Sequence, residues 1–539
     1  MKTAANADKW FQSSVVYHVY PRTFCDALGV GTGNVEGIIG KLDYIQRLNV
    51  NTLYVQDIDR VLPDLDSTDD DEARLRSTST LLSLSRALHE RGMHLIIDLP
   101  TAYTSPAHPW FLQCTKGDGA FADYYIRRQG KGAEGKRLPD GRRVARRSVW
   151  TRGDDGYWYM HAGDCPLLDW GSAAVRRSLF DMAARRLSFG VDGFVINVKD
   201  MHTAAYADKK TAMDKDAVRT ALSAFVEALR GVSPVAVVLD VGAAPLADAQ
   251  AFTFADGIRS SRHLPQKAFG FVKPNHVRFK RTLGLWQQGS FARFAPSLYL
   301  ESADLPRSLG WFTGDYGAYR KEAACMTATA TFMLRGTPFI YQGQEIGMTN
   351  FPFNRVSDVT DERLRSLTKV KLLSAVPFLN RAVLGYLGDI ACDNARTAMQ
   401  WTALLPNAGF TTDGTHRVPV NPNYMQINVQ DAFERDDSVF AYYRRLLALR
   451  NSAEYANVLQ KGTYCEYYRH NKDLMVYTRS YKGVTLIVVC NLRNADVPFV
   501  LPDRIAFKDC TLLAAGYDMP AHLGTVTLRP YECVVYRLD

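Results

Sequence analysis

The sequence lacks the features that mark secreted and membrane proteins. Its first residues, MKTAANADKWFQSS, contain no apolar core of a signal peptide, and no apolar run approaches the roughly 18 residues that a membrane-spanning helix needs. The nine cysteines are odd in number, scattered, and never spaced as Cys-X-X-Cys. These absences predict free thiols in a reducing compartment, a cytoplasmic location and no membrane span.

Two further absences limit the classes of partner and fold. No stretch interleaves aromatic and basic residues as a nucleic-acid groove does, so we expect no nucleic-acid partner. The composition, 47% apolar and 22% charged, is that of an ordinary globular protein and excludes a largely disordered or fibrous chain. With 539 residues, the chain is long enough for two or three domains.

Over most of its length the chain alternates short apolar runs with segments of helical periodicity. The runs that we predict to be strands lie at 15–24, 51–57, 94–100, 193–198, 235–241, 297–302 and 337–342. Near-continuous apolar strands that alternate with helices predict a parallel sheet covered on both faces. An eighth strand within 262–272 would close a (β/α)₈ barrel. Beyond residue 455 the pattern changes to short alternating strands, which predict a small antiparallel β domain.

Polar residues stand at the carboxyl ends of several predicted barrel strands, where barrels of this kind place their chemistry. Asp98, Asn197 and Asp240 end three of the strands, and Asp304 lies in the loop after the run 297–302, the seventh strand once the one expected within 262–272 is counted. Each residue alone could simply end a strand or cap a helix. Together, at one end of a barrel, they indicate a functional site.

Several long stretches are specific enough to identify a family. They include VVYHVYPRTFCD, RGMHLIIDL, RGTPFIYQGQEIGMTNF, DNARTAMQW and VNPNYMQINV. The chain resembles the α-amylase clan of glycoside hydrolases (glycoside hydrolase family 13), in its oligo-1,6-glucosidase and α-glucosidase branch. The resemblance implies a (β/α)₈ TIM barrel at 1–101 and 170–455. It also implies an inserted domain B at 102–169, after the third strand, and a C-terminal antiparallel β domain at 456–539.

The same resemblance implies retaining hydrolysis of α-glucosidic bonds, but the residues for it are missing. That chemistry uses a nucleophilic carboxylate and an acid/base carboxyl about 5–5.5 Å apart. The nucleophile position is Asn197, whose amide cannot form the glycosyl ester. Val195 replaces the arginine two residues earlier, and Asp240 replaces the glutamate of the acid/base position.

Other positions of the implied cleft are partly retained. Asp304 keeps the third carboxylate, whereas Ala303 stands in place of the histidine before it. After the third strand Asp98 is retained, and Tyr103 replaces the family's histidine. Arg307 is predicted to line the same cleft. The site is therefore predicted to be degenerate in its chemistry and partly intact in its binding groups.

The family's calcium site is predicted to be lost, and we expect no other metal or cofactor. The resemblance implies three oxygen ligands at alternate positions of the loop after the first strand. Here the loop keeps Asp26, but the next two positions are Leu28 and Val30. One carboxylate with two apolar side chains cannot hold a hard cation that prefers six to eight oxygens.

Two functions remain open from the sequence. The first is a pseudoenzyme of glucosidase ancestry that binds a carbohydrate, another ligand or a protein partner. The second is an active but atypical α-glucosidase, transglycosylase or isomerase that uses Asp240 and Asp304, with Asp200 and His202 nearby in sequence. The shorter aspartate would withdraw the acid by about 1.5 Å, and a displacement of about 1 Å already costs roughly a hundredfold in rate. The sequence therefore favours the first.

A strongly basic segment lies within the predicted domain B. Residues 127–147 contain nine basic and two acidic side chains. The segment is either a solvated loop or an anion-binding surface for an anionic ligand or an acidic protein partner. The four candidate anion-binding residues are Arg142, Arg143, Arg146 and Arg147.

Overall fold

The computed structural model describes most of the chain. The described residues are 10–62, 71–131, 139, 143–144, 147–197, 215–240, 257–259, 275–288, 295–310, 317–361, 364, 377–412, 417–520 and 522–539. They fall into two compact units. The first comprises the described residues within 57–89 and 94–261, and the second those within 10–56, 90–93 and 262–539.

The described strands carry the barrel, a set of small sheets and a C-terminal β structure. They are β1 Val16–Val19, β2 Thr52–Val55, β3 His94–Leu99, β4 Arg127–Arg128, β5 Arg143–Val144, β6 Arg147–Ser148, β7 Trp150–Arg152, β8 Trp158–Ala162, β9 Cys165–Pro166, β10 Gly193–Asn197, β11 Ala236–Asp240, β12 Gly257–Arg259, β13 Ala295–Leu298, β14 Thr337–Tyr341, β15 Thr463–Tyr467, β16 Leu474–Tyr481, β17 Val484–Asn491, β18 Val497–Val500, β19 Cys510–Ala515, β20 Thr525–Leu528 and β21 Cys533–Leu538.

Some α-helices lie between the barrel strands, one lies in the segment after β3, and others follow β14. Their bounds are Val35–Ile39, Leu42–Gln46, Asp71–His89, Pro109–Thr115, Ala173–Ser188, Lys215–Val232, His276–Gln287, Arg320–Phe332, Pro377–Ile390, Val429–Glu434, Val439–Asn451 and Ala456–Lys461. Every described helix is too short or too polar to cross a lipid bilayer.

Eight strands form the closed barrel that the apolar runs predict. Their order is β1-β14-β13-β12-β11-β10-β3-β2, and the pairings described between them are parallel. The first unit carries β3, β10, β11 and β12, and the second carries β13, β14, β1 and β2. The strand that the sequence left unassigned is β12, at 257–259. Its predicted place, 262–272, lies outside the described residues.

Burial explains why these segments are strands. Every residue of β1 and β2 is buried, as expected for a parallel sheet that is covered on both faces. The helix Ala173–Ser188 begins where the Ser172 side chain accepts a hydrogen bond from the Val175 amide. Gly190, at φ +86°, takes the left-handed conformation just past the helix end. The helix ends here, and β10 begins three residues after Gly190.

Small antiparallel sheets occupy the segment between β3 and the helix Ala173–Ser188. One sheet has the order β4-β8-β7, with β9 paired to β8, and a separate two-stranded sheet joins β5 to β6. The segment has a buried apolar cluster formed by Val149, Trp150, Met160 and Leu167. A substructure thus follows the third barrel strand, as the resemblance implies. The boundaries predicted at 102–169 remain a prediction.

The C-terminal strands form an antiparallel structure, as predicted. A five-stranded sheet has the order β15-β16-β17-β21-β19, and β18 pairs with β20. Leu474, Ile487, Phe499 and Leu528 are among the buried residues of the core that the two sheets share. Pro498 interrupts the sequence pattern of β18, so this strand is not evident from the sequence.

Candidate functional site

The barrel strands of the first unit place four predicted site positions in register. Asn197, the last residue of β10, lies opposite Asp240, the last residue of β11. On the other side of β10, Val195 lies opposite Asp98 of β3. Val195 is buried and Asn197 is half-buried. The strand that would supply a nucleophile in the implied site therefore ends on an amide beside a strand that ends on an aspartate.

Asp98 forms hydrogen bonds with groups other than the arginine that the resemblance implies. The backbone N–H of Asp57 donates to its carboxylate at 2.6 Å. Arg186, which is buried, donates to the Asp98 carbonyl at 3.1 Å and to the Asp59 carboxylate at 2.7 Å. The buried guanidinium thus braces the backbone at the end of β3. The charge of the Asp98 carboxylate is met by a backbone dipole.

Tyr103 packs into the inserted segment. It forms an isolated β-bridge with Leu167 and lies against the apolar cluster that contains Trp150. The tyrosine that replaces the family's histidine is therefore half-buried among apolar neighbours. This arrangement gives Tyr103 a packing role between β3 and the segment that follows it.

In the second unit, Asp304 is held from two sides. The Nη2 of Arg396 contacts its Oδ1 at 2.8 Å, and the Nε2 of Gln56 donates to its Oδ2 at 3.1 Å. The Nε of Arg396 also donates to the Ala303 carbonyl at 2.8 Å. The side chain of Asp304 nonetheless remains 60% exposed. An exposed carboxylate can accept hydrogen bonds from a ligand.

The contacts of Gln56 determine the orientation of its side-chain amide and the tautomer of His18. A carboxylate only accepts hydrogen bonds, so the Gln56 NH₂ must face Asp304 and its carbonyl must face the other way. That carbonyl lies 2.8 Å from the Nε2 of His18. His18 must therefore carry a proton on Nε2 to donate to it. The result is a hydrogen-bonded chain that runs from the buried His18 through the buried Gln56 to the exposed Asp304.

Aromatic rings lie near Arg396 and Ala303. Tyr20, Ala303, Tyr341 and Ala395 form a buried cluster, and the Arg396 guanidinium lies 5.7 Å from the centre of the Tyr20 ring. Burial lowers the pKa of Arg396, but the nearby Cys392 and Asp304 outweigh it and raise the pKa overall. Burial raises the pKa of Tyr341 above its ordinary value. The group therefore holds an ionised arginine and a neutral tyrosine.

Arg307, predicted to line the cleft, is entirely buried. Its Nη1 contacts the Glu301 Oε2 at 3.0 Å and donates to the Gln342 carbonyl at 2.7 Å. The Glu301 Oε1 in turn accepts from the amide and hydroxyl of Ser308, at 2.9 and 2.6 Å. In this structure Arg307 braces the segment that carries Asp304 and has no exposed surface to offer a ligand.

Several predicted site groups lie outside the described part. Nothing is described of the side chains of Asp240, Arg142, Arg143, Arg146 and Arg147, nor of Asp200 and His202. The backbones of Arg143 and Arg147 belong to the paired strands β5 and β6. Among the residues that the structure covers, no group of three or more His, Cys, Asp or Glu is placed to hold a metal ion.

Two residues of the Asp304 group were missed from the sequence. Gln56 is the second-last residue of the strand-like run NTLYVQD and directly follows β2, so a polar residue at a strand end was there to be read. Arg396 lies in DNARTAMQW, one of the stretches that carry the resemblance. Neither pattern showed that these side chains converge on Asp304.

Comparison with known proteins identifies the same family along the chain. The family described as "Alpha amylase, catalytic domain" matches residues 18–233 and 246–462. An oligo-1,6-glucosidase of Parageobacillus thermoglucosidasius is 33% identical, with 98% of this chain and 99% of that protein covered. A trehalose-6-phosphate hydrolase of Bacillus subtilis is 30% identical, with 98% of each covered.

Solved structures resemble the chain in fold over nearly its whole length. The trehalose-6-phosphate hydrolase of Bacillus licheniformis superposes with a TM-score of 0.86 at 27% identity, covering 98% of this chain and 100% of that one. An isomaltulose synthase of Klebsiella sp. LX3 gives a TM-score of 0.85 at 25% identity, covering 98% and 99%. The (β/α)₈ barrel with its C-terminal β domain is therefore shared with both.

Proposed function

The chain belongs to the α-amylase family and is α-glucosidase-like, and from this premise we propose that it has lost glycoside hydrolysis and keeps a ligand-binding role. The ligand that its ancestry favours is a carbohydrate. Asn197 at the nucleophile position is the single observation that carries the proposal. An amide is a poor nucleophile and cannot leave as the carboxylate of a glycosyl ester must.

The neighbours of Asn197 support a coordinated loss. Val195, in the arginine position, is buried opposite Asp98 and carries no charge to pair with a nucleophile. A buried cation or anion without its partner is strongly destabilising. The absence of both groups from β10 leaves neither charge stranded. The Asp98 carboxylate is met instead by the Asp57 amide.

Asp304 supports the binding part of the proposal. It is exposed, and Arg396 and Gln56 hold it in one orientation. A fixed, exposed carboxylate beside the partly exposed Arg396 suits the hydroxyl groups of a sugar.

We expect Asp304→Ala to weaken carbohydrate binding about tenfold, because it removes a charged hydrogen-bond acceptor worth about 1.5 kcal/mol. The measurement is isothermal titration of isomaltose, maltose and sucrose into the wild-type protein and the variant. Asp503→Ala, which removes an exposed carboxylate of the C-terminal β structure, is the matched control. Equal affinities in all three proteins, or no binding to any sugar, would reject Asp304 as a sugar ligand.

A rebuilt enzyme is the second candidate. Asp304 remains, and Asp240 ends β11 in register with Asn197. Because the chain resembles an isomaltulose synthase in structure, isomerase and transglycosylase reactions are candidates in addition to hydrolysis. Product analysis separates the two candidates, because a pseudoenzyme converts none of the sugars that it binds.

The location and the basic segment complete the proposal. All nine cysteines are free thiols, which supports a reducing, cytoplasmic compartment, and cell fractionation tests it.

We further propose that residues 127–147 bind an anionic ligand or an acidic protein. Arginine forks suit carboxylate and phosphate groups, and nine cations among two acids attract anions at low salt.

We expect the Arg142→Ser, Arg143→Ser, Arg146→Ser and Arg147→Ser quadruple variant to bind anions at least about tenfold more weakly. The probe is a fluorescent peptide of glutamates, titrated at about 50 mM and about 200 mM salt, because screening shortens the reach of exposed charges. Wild-type binding should fall steeply between the two salts. An unchanged affinity in the variant would reduce the segment to a solvated surface.

A further inference from the structure

The loop after β1 is organised around one buried carboxylate. Asp26, which is 1% exposed, is the residue retained from the calcium site that the family implies. Whether a cation fits this loop depends on what already surrounds the Asp26 oxygens and on what the neighbouring positions can donate.

Four donors of the protein surround the Asp26 carboxylate. Its Oδ1 accepts from the Val30 amide at 3.2 Å and from the Asn34 Nδ2 at 2.9 Å. Its Oδ2 accepts from the Gly31 amide at 2.7 Å and from the Thr411 hydroxyl at 2.9 Å. Two hydrogen bonds to each oxygen satisfy the carboxylate without an ion.

This environment does not suit a calcium ion. The four donors direct their hydrogens at the oxygens, so the same space repels a cation. Leu28 and Val30, at the other ligand positions of the implied site, are exposed and carry no side-chain oxygen. The Asn34 Oδ1 is used as well, since it accepts from the Gly37 amide at 2.9 Å at the start of a helix. The residues present therefore do not fit the metal.

Two glycines let the loop wrap around the anion. Gly29 and Gly31 have φ angles of +69° and +82°, a region that residues with a side chain adopt rarely. Turns of this kind direct successive backbone N–H groups into a concavity that binds an anion. The Val30 and Gly31 amides point at Asp26 in this way.

Asp26 also fastens a second, strained segment. Its amide donates to the Phe410 carbonyl at 2.8 Å, next to the Thr411 hydroxyl bond. Just before, Asn407 and Ala408 both have φ near +55°, at 55° and 56°. Left-handed residues with a side chain persist only where the surroundings hold them. Asp26 provides part of that hold.

We infer that the Asp26 carboxylate, bound by four protein donors, takes the organising role that a calcium ion has in the implied family site. It joins the loop 26–34 to the turn 407–411, and the protein folds and keeps this joint without calcium. All of these contacts lie within the second unit, and they do not depend on whether the chain hydrolyses glycosides.

The test compares calcium with removal of the carboxylate. Melting of the wild-type protein is followed by intrinsic fluorescence in about 2 mM CaCl₂ and in about 2 mM EDTA, and we expect the two midpoints to agree within about 1 °C because no ion-bound state is populated. We expect Asp26→Asn to melt about 3 °C lower, because its NH₂ group faces donors that lose their acceptor.

Two further variants keep the test decisive. Thr411→Val removes one of the four donors and should lower the midpoint by about 1 °C or more, in case Asp26→Asn does not fold. Asp43→Asn, an exposed aspartate paired with Arg91, should not change it. A calcium-dependent rise of several degrees in the wild type, or equal midpoints for the Asp26 and Asp43 variants, would overturn the inference.

Discussion

Replacement of Arg307 by Met is expected to lower the free energy of unfolding by about 3–5 kcal/mol, the range for a buried ion pair that loses one partner. Arg307 is 0% and Glu301 1% exposed, so the carboxylate left behind cannot be hydrated. The Gln342 carbonyl also loses a donor at 2.7 Å. Methionine fills much of the same volume, so the expected loss reflects charge and hydrogen bonding more than a cavity.

A double-mutant cycle separates the pair from its neighbours. Glu301→Gln combined with Arg307→Met should be less destabilising than the sum of the two single changes, because the double variant strands no charge. Arg493→Met, which removes an exposed arginine 3.5 Å from Asp473, is the matched control and should cost at most about 1 kcal/mol. Denaturant unfolding gives all four values. Equal losses for Arg307→Met and Arg493→Met would contradict the account of the buried pair.

The same pair bears on the candidate site. Glu301 and Ser308 bracket the turn that carries Asp304, and Arg307 ties this turn to the end of β14 through Gln342. Arg307 thus acts on Asp304 as a positioning residue, through the backbone. In the Arg307→Met variant we therefore expect weaker sugar binding only to the extent that the turn itself moves.

The fold could be predicted because its signals are local. Buried strands such as β1 and β2 read as apolar runs, and a helix such as Ala173–Ser188 has its cap and its final glycine in the sequence. The strands that the sequence pattern did not show clearly are β12, which is described at three residues, and β18, which contains Pro498. Neither is long or regular enough to give a periodic pattern.

The site could be predicted by position but only partly by contact. The strand pattern placed Asn197 at the end of a strand and Asp304 in a loop; Asn197 is the last residue of β10, and Asp304 lies after β13. The sequence could not show that Arg307 is buried against Glu301, or that Gln56 and Arg396 converge on Asp304. Such pairings join residues distant in sequence, and no local pattern records them.

The largest effect that we expect is on catalysis itself. Typical enzymes turn over near 10 s⁻¹, and loss of an essential nucleophile costs about a millionfold in rate. Asn197→Asp alone should not restore activity, because Val195 cannot orient the new carboxylate and Asp240 is shorter than the glutamate of the implied acid/base position. Groups that act as a unit do not contribute additively.

The most direct test of the proposed loss of hydrolysis is the turnover of nitrophenyl α-glucoside by the purified wild-type protein. Release of nitrophenol is followed over hours, with chromatography of isomaltose, maltose and sucrose incubations to detect hydrolysis or isomerisation products. We expect rates below about 10⁻⁴ s⁻¹, about five orders of magnitude under a typical enzyme, and no new sugar. Turnover within about a hundredfold of 10 s⁻¹ on any of these substrates would contradict the account and establish a rebuilt active site.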